Sequence, residues 1–121
     1  MDLYSENFFD HGKFPRNRGR LEHATHIGEE INTSCGDKIT VQMKNDQAKI
    51  KEIKYEVDGC LVTVASASIL SEKLIGKKAE EVLQMTPEDL VKMLGVELTP
   101  SRTKCALLPL LAIKKAIKNP R

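Results

Sequence analysis

The sequence predicts an α+β fold: an N-terminal helix, a three-stranded antiparallel sheet, then several helices packed on one face of it. Three observations predict this. Period-two alternation of apolar and polar residues is confined to the stretch between Thr25 and Val57. Helical periodicity, with caps and breakers, fills the chain after Gly59. Strand and helix signals are therefore segregated and not interleaved. A length of 121 residues suits one domain, 1–121, and no repeat or linker divides it.

Each element has its own signal. Asp2 to His11 reads as a short helix, with Ser5 or Asp2 as its cap and Tyr4, Phe8 and Phe9 on a shared face. Gly12 is expected to end it, with His11 as a cation at the negative end of the dipole. The stretch FPRNRGR is a loop, broken by Pro15 and Gly19. Thr25–Asn32 is the first strand. Lys38–Lys44 is the second, because Ile39, Val41 and Met43 alternate with Thr40, Gln42 and Lys44. Asn45, Asp46 and Gln47 form a turn. Lys49–Val57 returns as the third strand, with Ile53, Tyr55 and Val57 on one face. A helix follows from Cys60 to Leu74 and stops at Gly76, although Val62, Thr63 and Val64 are β-branched. Lys78–Gln84 is a short amphipathic helix. The next begins with Thr86 as N-cap and Pro87 in the first position, and ends at Gly95. The last helix runs to about Lys118, with Ala106, Leu110, Ile113 and Ile117 on its apolar face. Pro109 implies either a distorted first turn near Thr103 or a start nearer Leu108.

Composition narrows the function classes. A formal charge of +2 and 4% aromatic residues with no tryptophan argue against nucleic acid as a partner. The basic clusters at Lys13, Arg16, Arg18 and Arg20, and at Lys114, Lys115, Lys118 and Arg121, read as solvated surface. No secretory signal and no apolar run of bilayer length is visible, so no membrane is expected and the compartment is cytoplasmic. An odd count of 3 cysteines rules out complete internal pairing. The thiols are buried fillers, reactive groups or metal ligands.

No pair of Cys35, Cys60 and Cys105 has CxxC spacing, and isolated cysteines are ordinarily small buried hydrophobes. Their positions argue otherwise. Cys35 lies in a connection between strands, Cys60 at a strand-to-helix junction, and Cys105 near the start of the last helix, flanked by Arg102 and Lys104. A thiol near a helix N-terminus or a cation is biased toward thiolate. Three converging thiolates would suit a soft metal, and a four-coordinate site needs one more ligand. Asp37 is the nearest candidate, with a plain turn role as the alternative. Lys104 borders the site: as a cation it repels a metal, and without its proton it could ligate one.

The segments YSENFFDH and FPRNRG, then CGD at Cys35–Asp37, GC at Gly59–Cys60 before a small-residue helix, and Cys105 opening the last helix, resemble the U-type iron–sulfur cluster scaffold family (IscU, the N-terminal domain of NifU, and SufU). The resemblance covers nearly the whole chain. It implies assembly of a transient [2Fe–2S] cluster from iron and from sulfur supplied by a cysteine desulfurase, and transfer to recipient apo iron–sulfur proteins. Carried over by position, Cys35, Cys60 and Cys105 would be the ligands, with Asp37 tied to cluster lability and able to ligate Zn²⁺ in cluster-free protein. Cys105 is expected to be an exposed thiolate in a flexible approach, and to accept the persulfide. Lys104 stands where IscU-type members have histidine, as in SufU, yet the Cys60–Cys105 interval is too short for the insertion of SufU members. LTPSR stands in place of the family's LPPVK, so the resemblance does not carry a dedicated Hsp70 chaperone over to this chain. Two further readings stay open: a SufU-like zinc-dependent sulfur acceptor (a sulfurtransferase), and a small domain with a fixed zinc or no metal.

Overall fold

A computed structural model describes residues 5–121. The helix start expected at Asp2 and the place of Tyr4 on a helix face lie outside the described residues. Helix α1 (Glu6–Lys13) opens on Ser5, whose hydroxyl accepts from the Phe8 N–H at 3.1 Å. Phe8 is fully buried and Phe9 is 40% exposed, because adjacent helical residues lie about 100° apart. They do not share a face. Gly12 lies inside α1 and does not end it. A Cβ there would stand 2.6 Å from Leu61 Cγ, so this glycine serves close helix packing. His11 is buried, and burial first, then Arg16, lowers its pKa. It is therefore neutral at pH 7 and not the cation expected at that helix end.

Strands β1 (His26–Asn32), β2 (Asp37–Asp46) and β3 (Lys49–Asp58) form one antiparallel sheet in the order β1-β2-β3. Ile39, Val41, Met43, Ile53, Tyr55 and Val57 are buried on its inner face, as the alternation predicts. A bulge between Lys44 and Asn45 shifts the register, which turns Ile50 inward against the parity of Ile53. The turn itself is Gln47–Ala48, both at positive φ, so Asn45 and Asp46 belong to the strand.

The sheet is covered on that face by α5 (Pro100–Ile117) over β1 and β2, and by α2 (Leu61–Lys73) over β3. α1 packs on α2, while α3 (Ala79–Leu83) and α4 (Pro87–Leu94) lean on α5. Residues Val62 through Ser71 of α2 are all buried. Packing on every side outweighs the weak propensity of its β-branched first turn. Thr86 and Asp89 cap α4 reciprocally, and Gly95 ends it at φ 67°.

The last helix departs from expectation. It begins at Pro100, capped by the Thr99 hydroxyl, and continues unbroken past Pro109. Pro109 deprives the Cys105 carbonyl of its usual donor. The apolar burial of Ala106, Leu110 and Ile113 holds the helix through that gap. The basic loop residues are engaged structurally: Arg16 pairs with Asp10, Arg18 donates to the Val57 carbonyl at 3.0 Å, and Arg20 pairs with Glu56 at 2.9 Å.

Candidate metal and sulfur site

The site forms where the β1–β2 hairpin tip meets the N-terminal ends of α2 and α5. In the hairpin, the Asn32 side chain accepts from the Ser34 N–H at 3.0 Å, and Gly36 turns the chain at φ 77°. This leaves Cys35 exposed at the tip. Asp37 opens β2 with the parity of Ile39, Val41 and Met43, so it faces the core side and is 6% exposed. Gly59 gives the carboxylate room, since a Cβ there would stand 3.0 Å from Asp37 Cγ.

Cys60 is the N-cap residue of α2, and Cys105 lies in the second turn of α5. The donor atoms of Cys35, Asp37 and Cys105 all lie within 4.8 Å of one another. Cys60 stands beside them, 3.5 Å from the Thr63 hydroxyl, which in turn donates to Asp37 Oδ2 at 2.6 Å. Fold thus gathers three of the four expected ligands and sets the fourth alongside. A cleft of about 560 Å³ opens onto them, lined by Cys35 and Cys105 and by Ser101, Arg102 and Lys104. Lys104 is solvent-exposed at that cleft.

The thiols differ in charge state. Burial pushes the Cys60 thiol up, but the Thr63 hydroxyl, the N–H groups of Thr63 and Val62 at the helix N-terminus, and Cys105 outweigh it. Its pKa falls below the ordinary value. Cys105 goes the other way: burial, then the negative charge of neighbouring Cys60, then Cys35 and Asp37, push it up to about 11. At neutral pH Cys60 is therefore the readier thiolate and Cys105 keeps its proton.

This corrects the sequence-based picture of Cys105. It is 6% exposed inside a regular helix, not an open thiolate in a flexible approach. The cations Arg102 and Lys104 do not offset burial and the surrounding negative charge. Cys35 is the exposed thiol of the three.

Sequence reasoning passed over Thr63, reading it only as a weak helix former. Its signal was a hydroxyl three residues after a cysteine N-cap, the spacing at which a side chain reaches back over the helix start. The cleft residues Asn32 and Ser101 carried no such signal.

The donor set can hold a metal. Two thiols and a carboxylate are grouped, a third thiol is adjacent, and the group is open on one side. Soft sulfur with one oxygen suits zinc or iron, not calcium or magnesium.

The chain is 33% identical to the iron–sulfur cluster assembly scaffold protein IscU of Thermotoga maritima, with 97% of this chain and 94% of that protein covered. It is 32% identical to the zinc-dependent sulfurtransferase SufU of Bacillus subtilis, with 95% and 89% covered. Those alignments span 133 and 132 residues, more than this chain contains, so each relative carries segments absent here. A crystal structure of a putative SUF-system scaffold protein from Fervidobacterium islandicum AW-1 superposes with a TM-score of 0.77 at 30% identity, covering 95% of this chain and 96% of that one. Residues 3–120, nearly the whole chain, match the NifU-like N-terminal domain, and the chain belongs to that family.

Proposed function

We propose that this protein is an iron–sulfur cluster assembly scaffold. It takes iron, and sulfur from a cysteine desulfurase, onto Cys35, Asp37, Cys60 and Cys105. There, with an external electron donor supplying the two electrons that reduce each persulfide sulfur to sulfide, it builds a transient [2Fe–2S] cluster, which it passes to recipient apo proteins. The observation that carries this reading is the convergence of Cys35, Asp37 and Cys105 within 4.8 Å at an open cleft, with Cys60 beside them. The cluster is cargo, so its site must release as well as bind. A carboxylate among thiolates supplies one weak bond to cluster iron, and the cleft supplies the exit.

Sulfur arrives as a persulfide. A scaffold thiolate attacks its outer sulfur, the donor's S–S bond breaks, and the donor leaves as thiolate. Cys105 is the proposed acceptor, and it must first lose a proton. The Cys60 thiolate, hydrogen-bonded to it, and the Asp37 carboxylate, within 4.8 Å of it, are the bases beside it. Cys35, exposed at the cleft mouth, is the competing acceptor.

The second reading is a zinc-dependent sulfur acceptor, favoured by two thiols and a carboxylate within 4.8 Å of one another with the third thiol beside them, and by Lys104 in the position of histidine. Bound zinc would hold the thiols as thiolates and shield them.

Anaerobic reconstitution with ferrous iron, cysteine, a desulfurase and an electron donor for persulfide sulfur, the donor being left out of the arm that reads persulfide, separates the readings. The scaffold reading expects visible-range absorption from a cluster, and activation of an apo-ferredoxin on mixing. Absence of both sinks it. Persulfide accumulating on zinc-loaded protein, with no cluster formed, establishes the second reading instead. Mass mapping of the persulfide decides between Cys105 and Cys35.

A further inference from the structure

We infer that Thr63 is a positioning residue of the site, and that its single hydroxyl proton sets how Asp37 presents itself to a bound metal. The inference rests on the reading of Cys35, Asp37, Cys60 and Cys105 as the donor set.

Thr63 is fully buried in the first turn of α2. Its Oγ1 donates to Asp37 Oδ2 at 2.6 Å, within the range of charge-assisted hydrogen bonds to a carboxylate. That bond spans the fold, since the two residues are 26 positions apart in sequence. The same oxygen lies 3.5 Å from Cys60 Sγ. One hydroxyl therefore touches two proposed ligands from two different elements. Gly59 closes the arrangement from the other side, where a Cβ would stand 3.1 Å from Asp37 Oδ2 and 3.2 Å from Thr63 Cβ. Asp37 is held between them with one oxygen engaged.

Two consequences follow from the proton count. A threonine hydroxyl has one proton to give. While it serves Asp37, that oxygen is occupied and the carboxylate is fixed to offer its other oxygen to the thiol group. Among the described residues no other side chain is recorded donating to Asp37, so the carboxylate's orientation depends on this bond. A partner of this kind raises affinity by orienting a ligand without itself touching the metal.

Cobalt(II) is the probe, because its thiolate charge-transfer and d–d bands report the donor set directly. Thr63→Val keeps the shape and removes the hydroxyl, and Thr63→Ser keeps the hydroxyl and removes a methyl. We expect Thr63→Val to weaken cobalt binding about 10- to 100-fold and shift the d–d bands, and Thr63→Ser to stay near wild type. In an Asp37→Ala background, Thr63→Val should lose most of its effect on affinity, because only the longer contact to Cys60, at 3.5 Å, remains. Equal losses for Val and Ser, or an undiminished loss in the Asp37→Ala background, would show that Thr63 acts only through packing. If Thr63→Val does not fold, the comparison of Thr63→Ser with Thr63→Ala carries the same test, with a loss only in Ala expected. Wild-type protein that shows no thiolate–cobalt bands overturns the donor set itself, whereas wild-type bands unchanged in the Val variant overturn only the role of Thr63.

Discussion

Helix α2 carries a polar cluster at each end, and the two clusters are built differently. Toward the C-terminal end, Ser68 accepts from the Arg16 N–H at 2.8 Å and meets His11 Nδ1 at 2.6 Å. Ser71 donates to the Ser68 carbonyl at 2.7 Å and accepts from the Asn17 amide at 3.0 Å. Donors and acceptors there are matched, and α1 with the loop that follows it covers most of the cluster. At the N-terminal end, Thr63 and Cys60 face Asp37, Cys35 and Cys105. That cluster concentrates acids and thiols, and it opens on a cleft. A closed polar network fixes the packing of two elements. An open one that gathers thiols around a carboxylate is suited to hold a ligand of opposite charge. The same helix does both because its neighbours differ: α1 at one end, a hairpin tip at the other.

The largest expected effect tests the open end. Asp37→Ala removes the oxygen donor and should lengthen the life of a reconstituted cluster, slowing its transfer to an apo-ferredoxin on the order of tenfold. Circular dichroism in the visible range during transfer measures it. An unchanged lifetime would remove Asp37 from the release step.

The closed end should respond in stability alone. Ser68→Ala leaves the Arg16 N–H and His11 Nδ1 without their partner, at a cost of about 1–3 kcal/mol. Thermal unfolding should fall by roughly 4 °C or more per kcal/mol. Cobalt affinity should not move. A change in metal binding would mean that the two ends of α2 are coupled.

Thiol reactivity sharpens the asymmetry within the open end. In metal-free protein near pH 8, alkylation followed by mass mapping should label Cys35 and Cys60 before Cys105, which is buried and held up to about 11. Folding favours the proton on Cys105. Its contribution to stability is therefore present below its ordinary value of 9.0 and is lost as the pH rises toward 11.

The smallest effect is at His11. Its pKa lies below the ordinary 6.5, chiefly through burial, so the fold prefers the neutral ring. The unfolded chain binds more protons below that value, and stability should decline as the pH falls through and below 6.5. Comparing melting temperatures at pH 7.5 and pH 5.0 in wild type and His11→Gln isolates it. An equal drop in both would place the acid sensitivity elsewhere.

The local elements were legible because their causes are local. Ser5, Thr86, Pro87 and Gly95 mark helix ends within a few residues of themselves. The inward parity of Ile39, Val41 and Met43 follows from the pleat alone. Misreadings came where a distant contact overrode a local signal. Gly12 looked like a stop and is a packing site against Leu61. Pro109 looked like the mark of a distorted first turn or a later start, and lies in the middle of a helix held by its buried face. His11 looked like a cation ending a helix and is a buried neutral ring.

The sequence by itself determined the kinds of chemistry present: three thiols at element ends, a carboxylate two residues past the first, and the segregation of strands from helices. Only the tertiary structure decided which of these meet. Cys35, Asp37 and Cys105 come together because the β1–β2 hairpin tip meets the start of α5. Only there could Cys105 prove buried, Cys60 the readier thiolate, and Thr63 the link between them. The reason is that burial, neighbouring charge and hydrogen bonding set a group's reactivity, and each depends on residues far away in the chain.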